Sequence, residues 1–252
     1  MQDKITGESL RPVYQWVPFG VDRVLDIGCS WGDDAVALTK KAKEVYGTDI
    51  NEKFKKAQIK CPEIKFSVCR AEKLLFEDNF FDVVIMSEVL EHVTNEHAAL
   101  NEIYRTLKPG GMFILTTPHK GLFGFLDPAN QKFYLKKISP RLFKLFISHQ
   151  LIRNPDYNSV LAQGLHRHYS LEDFHRLFNK SDWRGHYKIE KILRHALFFG
   201  PLTGNIRAGM KHLLGERMTK TLIKPLNFIA SIDNKINFGS ASYQIELMIR
   251  KD

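Results

Sequence analysis

The stretch VLDIGCSWGDD, residues 24–34, decides the fold of the chain. An apolar run ends at Asp26, Gly28 and Gly32 flank a tight bend, and two further acids open what reads as a helix. A glycine-containing turn between a strand and a helix usually binds an anion, because free backbone N–H groups at the helix N-terminus attract negative charge. Three carboxylates around this turn oppose a pyrophosphate, so we expect a different ligand.

Apolar and polar residues follow one another in runs that indicate strands and helices. Five runs in the first half read as strands, in the order VDRVLDIG, EVYGTD, IKFSVC, FFDVVIMS and MFILTTP. The segments between them read as the helices DDAVALTKKA, NEKFKKAQI (capped by Asn51) and residues 95–107, and as the turn KPGG. HYKIEKILRH and SYQIELMIRK read as two late strands. This alternation predicts an α/β fold with a doubly wound, mostly parallel seven-stranded sheet and helical insertions after the fifth and sixth strands.

Length and composition restrict the class of protein. With 252 residues, of which 44% are hydrophobic, the chain can bury a core as a single domain over residues 1–252. Three cysteines without a recurring spacing indicate neither a disulfide framework nor a zinc finger, which favours a reducing, cytoplasmic setting. The polar start of the chain, and the lack of an apolar run near the roughly 20 residues that span a bilayer, argue against a secretion signal and a transmembrane helix.

Charge is distributed unevenly between the two halves of the chain. Residues 1–118 contain 15 Lys and Arg against 18 Asp and Glu, whereas residues 119–252 contain 22 against 10. The positive second half suits an anionic partner such as a membrane surface, a phosphate-bearing substrate or a nucleic acid. A basic surface that is simply solvated is an equal alternative.

The acid at the end of the second strand indicates what the turn binds. Asp49 lies 21 residues beyond Gly28. An acid about 20 residues past such a turn commonly hydrogen-bonds the hydroxyls of a ribose. A ribose ligand at a turn that disfavours phosphate is a nucleoside carrying a cationic group, and S-adenosylmethionine is the first candidate.

Four motifs in series resemble those of class I S-adenosylmethionine-dependent methyltransferases of the methyltransferase type 11-like family. They are VLDIGCSWGDD, VYGTDIN, CRAEKLLFEDNFFDVVIMSEVLEHV and LKPGGMFILTTP. The resemblance covers about residues 20–118, and it implies a Rossmann-like cofactor-binding core over those residues. It also implies that the chain is a methyltransferase that uses S-adenosylmethionine.

The resemblance implies a cofactor site made from nine residues. They are Asp26, Gly28, Cys29, Gly32, Asp49, Ile50, Ala71, Glu72 and Ser87. The backbone of the glycine turn would approach the methionine moiety, with Asp26 beneath it, and Asp49 would hold the ribose hydroxyls. Ile50 would pack on the adenine, and Ser87 would lie near the sulfonium. Ala71 and Glu72 would line the adenine edge.

The chain departs from the family pattern at two positions. The middle glycine common in the family is Ser30, which narrows the allowed backbone geometry. An acid that accepts from the adenine amino group in many members is replaced by Arg70, so Glu72 would have to supply that contact. We expect Cys29 to be a small turn residue without chemistry of its own.

The motif EVLEH is a candidate metal site. On a helix, Glu88, Glu91 and His92 would share one face, and their donor atoms would suit Mg²⁺ or Mn²⁺. The pattern resembles that of ubiquinone-pathway O-methyltransferases and of small-RNA 3′-terminal 2′-O-methyltransferases, in which a downstream histidine completes the site. His166 or His168 could do so here. The alternative, which we favour, is that EVLEH packs at the sheet edge without metal.

Three histidines are candidates for a general base that deprotonates the methyl acceptor. His119 directly follows the fifth strand, at the sheet edge where open α/β folds bind ligands. His168 and His166 precede a helix in HRHYSLEDF, which resembles the substrate-side histidine motif of several sugar and small-molecule methyltransferases. We expect one of the last two to be catalytic.

Two segments of the second half combine apolar and basic residues. Residues 119–186 are expected to form a helical cap on the substrate side, and residues 197–241 a basic amphipathic insertion. The first contains Phe123, Phe125, Phe133, Tyr134, Phe143 and Phe146 among Lys132, Lys136, Lys137, Arg141 and Lys144, and the second contains Arg207, Lys211, Arg217, Lys220 and Lys224. Such segments suit an anionic membrane surface, a lid over an apolar substrate, stacking on RNA, or packing on the sheet.

These observations lead to three hypotheses. The first is a cytoplasmic enzyme, peripheral at the inner face of the membrane, that O-methylates a small-molecule or lipid-linked acceptor such as a glycan sugar or a quinone-like precursor. The second is a 2′-O RNA methyltransferase, which the lack of an appended RNA-binding module disfavours. The third is a non-catalytic protein that binds S-adenosylmethionine, which the complete series of motifs disfavours.

Overall fold

The computed structural model describes residues 12–127, 130–141, 143–144 and 166–252. Its seven-stranded sheet contains β1 (Val21–Ile27), β2 (Ala42–Asp49), β3 (Lys65–Val68), β4 (Phe81–Ser87), β5 (Leu107–Pro118), β6 (Tyr187–His195) and β7 (Gln244–Lys251), in the order β3-β2-β1-β4-β5-β7-β6. The pairs β1–β2, β1–β4, β2–β3 and β4–β5 are parallel. The predicted doubly wound, mostly parallel sheet is confirmed.

Helices lie between the strands of the first half and follow the fifth and sixth strands, as the sequence predicts. They are α1 (Asp33–Leu38), α2 (Lys55–Lys60), α3 (Glu96–Thr106), α4 (Gln131–Ile138), α5 (Leu171–Asn179), α6 (Phe199–Leu222) and α7 (Lys224–Asp233). Helix α6 is broken at Gly215, whose φ of 77° lies in the left-handed region. Among the described residues, no helix has the length and hydropathy needed to cross a bilayer.

Two predicted helices differ from those observed. The first ends at Leu38, before the lysines that the sequence assigned to its last turn. Lys41 leaves the helix because its ammonium donates to the carbonyls of Tyr14 and Val17 at 3.0 and 2.9 Å, and β2 begins at the next residue. The prediction that Asn51 caps the second helix is wrong. Its side chain makes no capping hydrogen bond, and a 3₁₀ turn precedes α2.

The segment KPGG, predicted as a turn, is part of β5. Leu107 pairs with Phe81 and Met112 pairs with Val83, with a shift of register between the two pairs. The extra residues are therefore accommodated as an irregularity inside the strand, where Gly110 takes a φ of 73°. The strand is consequently longer than predicted and starts directly after α3.

The core lies on both faces of the central strands. Strand β4 is buried at nearly every position, as expected for a parallel strand covered on both sides. Trp183 is completely buried, contacts Phe113 and Phe178, and donates its indole N–H to the carbonyl oxygen of Leu100 at 2.8 Å. This residue holds the segment that follows α5 against α3.

The described chain forms two compact units. One contains residues 12–117, 171–193 and 246–252, and the other contains the described residues of 118–170 and 194–245. The first unit includes the predicted cofactor-binding core up to residue 117, and the second includes the predicted insertion at 197–241. Residues 171–186, which the sequence analysis assigns to the cap, belong to the first unit.

Candidate functional site

The turn after β1 is held by hydrogen bonds to β2 and lies close to Val89. The N–H groups of Gly28 and Cys29 donate to the carbonyl oxygen of Thr48 at 2.7 and 3.0 Å. Gly28 has a φ of 74°, and a Cβ atom built on it would lie 2.2 Å from Cγ2 of Val89. Only glycine fits this position, because any side chain would meet both a strained backbone and a close neighbour.

Gly32 is the second glycine that the turn requires. It has a φ of 83° at the N-cap of α1, and a Cβ atom here would lie 2.7 Å from Cβ of Ala57. The absence of side chains at both glycines leaves backbone at the surface of the turn, as expected where a ligand approaches closely.

Asp49 ends β2 and is held by two backbone amides. Its Oδ2 accepts from the N–H of Ser30 at 2.9 Å, and its Oδ1 accepts from the N–H of Asn51 at 2.9 Å. Each carboxylate oxygen has a second lone pair, which suits a ribose hydroxyl. Ser30 takes a left-handed φ of 49°, which costs about 1–2 kcal/mol for a residue with a side chain. The hydrogen bond to Asp49 offsets part of that cost.

Cys29 packs inside the turn. The residue is buried, and a Cβ atom on Gly47 would lie 3.1 Å from its Sγ. Burial, and then the negative charges of Asp26 and Asp49, raise the pKa of this thiol far above its usual value. The thiol is therefore neutral at physiological pH, which fits a small turn residue that contributes through its backbone.

The predicted adenine side contains one exposed apolar residue and one anchored acid. Ile50 is 64% exposed directly after Asp49, whereas Ala71 is buried. Oε1 of Glu72 accepts from the N–H of Thr94 at 2.9 Å and from Nη2 of Arg70 at 3.1 Å. Glu72 thus links residues 70–72 to residue 94.

The pKa of Glu72 is lowered although its burial acts in the opposite direction. Hydrogen bonds from its own backbone N–H, from Thr94 and from Arg70 outweigh that burial. Arg70, one of the two departures from the family pattern, is therefore the ion-pair partner of this acid. Whether Glu72 accepts from an adenine amino group stays a prediction.

Ser87 begins a chain of hydrogen bonds at the end of β4. Oγ1 of Thr116 donates to Oε1 of Glu88 at 2.9 Å, because a carboxylate oxygen can only accept. Oγ of Ser87, 2.8 Å from Oγ1 of Thr116, must then be the donor in that pair. Thr116 lies on the neighbouring strand β5 and was not identified from the sequence, because only strand pairing brings it beside Ser87.

Asp26 lies near the end of β1 and is 2% exposed. Its Oδ1 accepts from the hydroxyl of Tyr14 at 3.2 Å. A buried carboxylate at this end of the strand is consistent with the role that the resemblance implies, beneath a cationic ligand. Tyr14 precedes the predicted core by several residues, and no motif in the sequence marks it.

The helical face predicted for EVLEH is wrong. Glu88 has a left-handed φ of 56°, and residues Leu90–His92 form a single 3₁₀ turn. The side chains also point to different partners, since Glu88 bonds to Thr116 and the buried Glu91 accepts from Oγ1 of Thr117 at 3.0 Å. The argument that three residues at i, i+3 and i+4 share a helical face therefore does not apply. Nε2 of His92 nevertheless lies 4.0 Å from Oε1 of Glu91, and a metal site that uses these two residues stays a prediction.

In the second unit, two of the predicted histidines converge on an acid that the sequence analysis missed. Oδ2 of Asp127 lies 2.6 Å from Nδ1 of His166 and 2.8 Å from Nε2 of His168. Asp127 is 2% exposed, so the three groups form a largely buried cluster. The i, i+2 spacing of the histidines indicates one face of an extended segment, but nothing in the sequence points to an acid about 40 residues earlier.

Neighbouring residues hold this Asp127–His166–His168 cluster in place. The side-chain amide of Asn130 donates to the carbonyl oxygen of His166 at 2.9 Å and accepts from its N–H at 2.7 Å. The N–H of Tyr169 donates to the carbonyl oxygen of Pro118 at 3.0 Å, which ties the histidine segment to residue 118 within the second unit. One carboxylate and two imidazoles could orient a base or hold a divalent ion.

His119, the third predicted base, is buried and makes structural contacts. Its Nδ1 lies 2.9 Å from the carbonyl oxygen of Ser242, so this nitrogen is the donor. Its backbone N–H donates to the carbonyl oxygen of Tyr243 at 2.6 Å. These bonds tie the residue after β5 to the segment before β7. A catalytic role for His119 stays a prediction.

The predicted aromatic and basic segment is only partly described. Phe125 and Tyr134 are exposed, whereas the ring of Phe123 packs on that of Phe198 with centroids 5.0 Å apart. The Lys136 ammonium lies 5.9 Å from the centroid of the Phe143 ring. Phe146 and the side chains of Lys132 and Phe133 lie outside the described part of the chain, so their predicted role is untested.

Comparisons with known proteins agree with this geometry. Residues 25–115 match the family model described as a methyltransferase domain. The ubiquinone/menaquinone biosynthesis C-methyltransferase UbiE of Rickettsia prowazekii is 32% identical over 179 residues, which are 66% of this chain and 70% of that protein. UbiE of Neisseria meningitidis serogroup C is 30% identical over 176 residues, which are 62% of this chain and 70% of that protein.

Solved structures share the fold at lower identity. The YcgJ protein of Bacillus subtilis is 18% identical with a TM-score of 0.52, and the similarity covers 94% of each chain. The MccD protein is 18% identical with a TM-score of 0.57, and the similarity covers 95% of each chain.

Proposed function

The chain belongs to the class I S-adenosylmethionine-dependent methyltransferases, and from this premise we propose that it methylates a quinol-like ring of an amphiphilic acceptor. Methyltransferase activity and the use of S-adenosylmethionine follow from the family. The acceptor and the residues that act on it are the proposal.

The geometry of the turn after β1 supports the cofactor part of this account. The glycines at 28 and 32 leave no room for side chains, and Asp49 is oriented by two backbone amides. The turn would hold the methionine part of the cofactor, Asp49 its ribose, and Ile50 its adenine. Asp26 and Glu88 supply negative charge that suits a cationic ligand rather than a phosphate. When bound, the cofactor supplies an electrophilic methyl group.

A quinol-like acceptor is supported by the names of the relatives. The UbiE proteins at 30–32% identity are named for carbon methylation in ubiquinone and menaquinone biosynthesis. Loss of a proton from a ring hydroxyl raises electron density both on the oxygen and on the adjacent ring carbon. Methylation of that carbon would break the sulfur–methyl bond and leave S-adenosylhomocysteine. The ring carbon would then lose its hydrogen as a proton and the oxygen would regain one, which restores the aromatic hydroquinone. The names favour the carbon, which is therefore the first candidate. The oxygen, expected from the sequence, is the second.

His166 is the better placed of the two clustered histidines to take that proton. A neutral His166 that donates Nδ1–H to Asp127 carries its lone pair on Nε2, and the carboxylate stabilises the imidazolium that forms. His168 is bound to Asp127 through Nε2, and its Nδ1 faces Gly124, where a Cβ atom would lie only 2.8 Å away. We therefore assign the base to His166, with Asp127 as the residue that positions it.

The test is a turnover assay with a short-chain prenyl hydroquinone and purified full-length protein. We expect a singly methylated product that retains both ring hydroxyls, which identifies carbon as the acceptor. His166→Gln should lower kcat about 100-fold or more without changing S-adenosylmethionine affinity. His175→Gln is the matched control, because His175 is exposed and its Nδ1 lies 2.9 Å from the hydroxyl oxygen of Tyr187.

Two results would contradict this account. If His166→Gln and Asp127→Asn leave turnover of the hydroquinone unchanged, His166 is not the general base. Efficient methylation of RNA or a glycan, with no product from any quinol, would show that a quinol is not the acceptor. Adding a chelator to the assay tests whether the Asp127–His166–His168 cluster binds a metal ion. We expect the chelator to leave turnover unchanged.

A further inference from the structure

The second compact unit exposes large apolar side chains along α6, α7 and the turn that follows α7. They are Leu214, Met218, Leu222, Phe228, Ile229, Ile232 and Ile236, and we call them the α6–α7 face. Phe228 is 68% exposed and Met218 is 55% exposed. Monomeric soluble proteins rarely leave a large contiguous apolar patch in water, so a surface of this kind indicates an interaction site.

The spacing of four of these residues places two of them on one side of each helix. Met218 and Leu222 are four residues apart after the break at Gly215, and Phe228 and Ile232 are four residues apart within α7, whereas Ile236 lies beyond the end of that helix at Asp233. Residues four apart lie above one another on a helix surface. Met218 with Leu222, and Phe228 with Ile232, therefore form one short apolar strip on each helix.

The opposite side of the two helices is anchored within the unit. Asp233 is buried and accepts from the backbone N–H groups of Leu197, Phe198 and Phe199 at 3.0–3.2 Å. This carboxylate caps the start of α6 from the end of α7, which fixes both helices. Ile223 and Ala230 are also buried. The exposed strips are thus the outer side of a fixed helical pair, and its inner side is already packed.

The charge beside the α6–α7 face is positive. Lys220, Lys224 and Lys235 are exposed within the same residues. Residues 214–236 contain four Lys and Arg against two acids, Glu216 and Asp233, and Asp233 is buried. An outer surface with apolar strips and lysines, on helices that do not reach the length and hydropathy of a membrane span, is typical of helices that lie in the interface of an anionic membrane.

We propose that the α6–α7 face binds the surface of an anionic lipid bilayer. The apolar side chains enter the boundary between headgroups and acyl chains, and the three lysines lie at the lipid phosphates. This inference does not depend on the identity of the methyl acceptor, because it concerns a surface of the second unit alone.

The two kinds of side chain make separable contributions. Each lysine near an anionic surface raises vesicle affinity about fivefold at low salt, and salt screens that part. Burial of the aromatic and aliphatic side chains adds a part that salt does not screen. We expect the full-length protein to bind vesicles that contain anionic lipid at least tenfold more tightly than neutral vesicles, with part of the binding retained at high salt.

The experiment is co-sedimentation with phosphatidylcholine vesicles that contain or lack phosphatidylglycerol. Phe228→Ser with Ile232→Ser should abolish the salt-resistant part. Ile59→Ser with Phe19→Ser is the matched control, since these exposed apolar residues lie in the first unit, and it should bind as wild type does. Lys220→Gln with Lys224→Gln should lower affinity for anionic vesicles about 25-fold at low salt. The same change at Lys53 and Lys56 should have little effect. Unchanged S-adenosylmethionine affinity verifies that each variant is folded.

Three outcomes would overturn the proposal. The wild type could ignore anionic vesicles, or the variants of the α6–α7 face could bind as tightly as the controls. Size-exclusion chromatography with light scattering gives the third. If the wild type is a dimer that Phe228→Ser with Ile232→Ser converts to a monomer, and vesicle binding is absent, a second copy of the chain covers this face.

Discussion

Gly28 is the position of the candidate cofactor site where an added side chain would clash most severely, since a Cβ atom there would lie 2.2 Å from Cγ2 of Val89. Gly28→Ala should lower the free energy of unfolding by about 2–4 kcal/mol, because a left-handed φ costs about 1–2 kcal/mol and the clash with Val89 adds to it. Urea unfolding measures the loss. Gly20→Ala is the control, since Gly20 has a φ of 82° but nothing within 4 Å of its Cβ position. A loss of unfolding free energy no greater than that of the control would contradict the steric argument. Adding Val89→Ala to Gly28→Ala should restore part of the lost free energy.

Asp49 is the residue on which cofactor affinity should depend most. Asp49→Ala removes a charged acceptor and should weaken S-adenosylmethionine binding by about 1.5–3 kcal/mol, measured by isothermal titration. Asp22→Ala is the control, because Asp22 forms an exposed ion pair with Lys43. Unchanged affinity in a folded Asp49→Ala variant would remove this residue from the site.

Several of the candidate site residues could be predicted from the sequence, and there is a physical reason why the others could not. Gly28, Gly32 and Asp49 lie at fixed offsets within local motifs, so spacing identified them. Asp127, Thr116 and Tyr14 act through contacts made by the fold. The acid and the histidines of the Asp127–His166–His168 cluster are about 40 residues apart in the chain, and no local pattern records such a contact.

At the scale of elements, α3 fixes the loop that follows β3. Glu102 accepts from the N–H of Leu74 at 2.7 Å and from Arg105 at 2.8 Å. The hydrogen bonds from Arg105, partly opposed by burial and assisted by Leu74, lower the pKa of Glu102 below its ordinary 4.5. A carboxyl group whose pKa is lowered by folding stabilises the fold above its unfolded pKa, and that contribution is lost as the pH falls through the folded pKa.

Glu102→Gln should therefore lower the free energy of unfolding by about 1–2 kcal/mol at pH 7. The difference from wild type should shrink as the pH falls below about 4.5, which denaturant titrations across pH can follow. Glu77→Gln, at an exposed position, should show a much smaller difference at pH 7. A difference for Glu102→Gln that persists unchanged at low pH would contradict the ion-pair explanation.

Element types were predictable and element ends were not. The seven strands have the expected periodicity, but the end of α1 depends on the carbonyls that Lys41 reaches, and the start of β5 depends on pairing with β4. EVLEH is the clearest failure, because its spacing suits a helix while Glu88 takes a left-handed φ and bonds to Thr116. Long-range hydrogen bonds determine the local structure at these positions.

At the scale of the molecule, the acidic first half and the basic second half of the chain contain different candidate sites. The acidic first half contains the candidate cofactor turn, and the basic second half contains the Asp127–His166–His168 cluster and the α6–α7 face. Composition predicted a basic amphipathic insertion at 197–241, but only the structure identifies which of its side chains face outward. A membrane-bound quinol would require the second half to bind a bilayer, whereas a soluble quinol would not.

The central claim is that this chain transfers a methyl group to a lipid-soluble quinol by means of the turn after β1. The most direct measurement is a transfer assay with methyl-labelled S-adenosylmethionine and cell extract separated into lipid, glycan and RNA fractions. We predict label in a quinol of the lipid fraction with wild-type protein and with Asp22→Ala, and a large loss of label with Asp49→Ala. Label confined to the glycan or RNA fraction, or lipid labelling that Asp49→Ala leaves unchanged, would contradict the account.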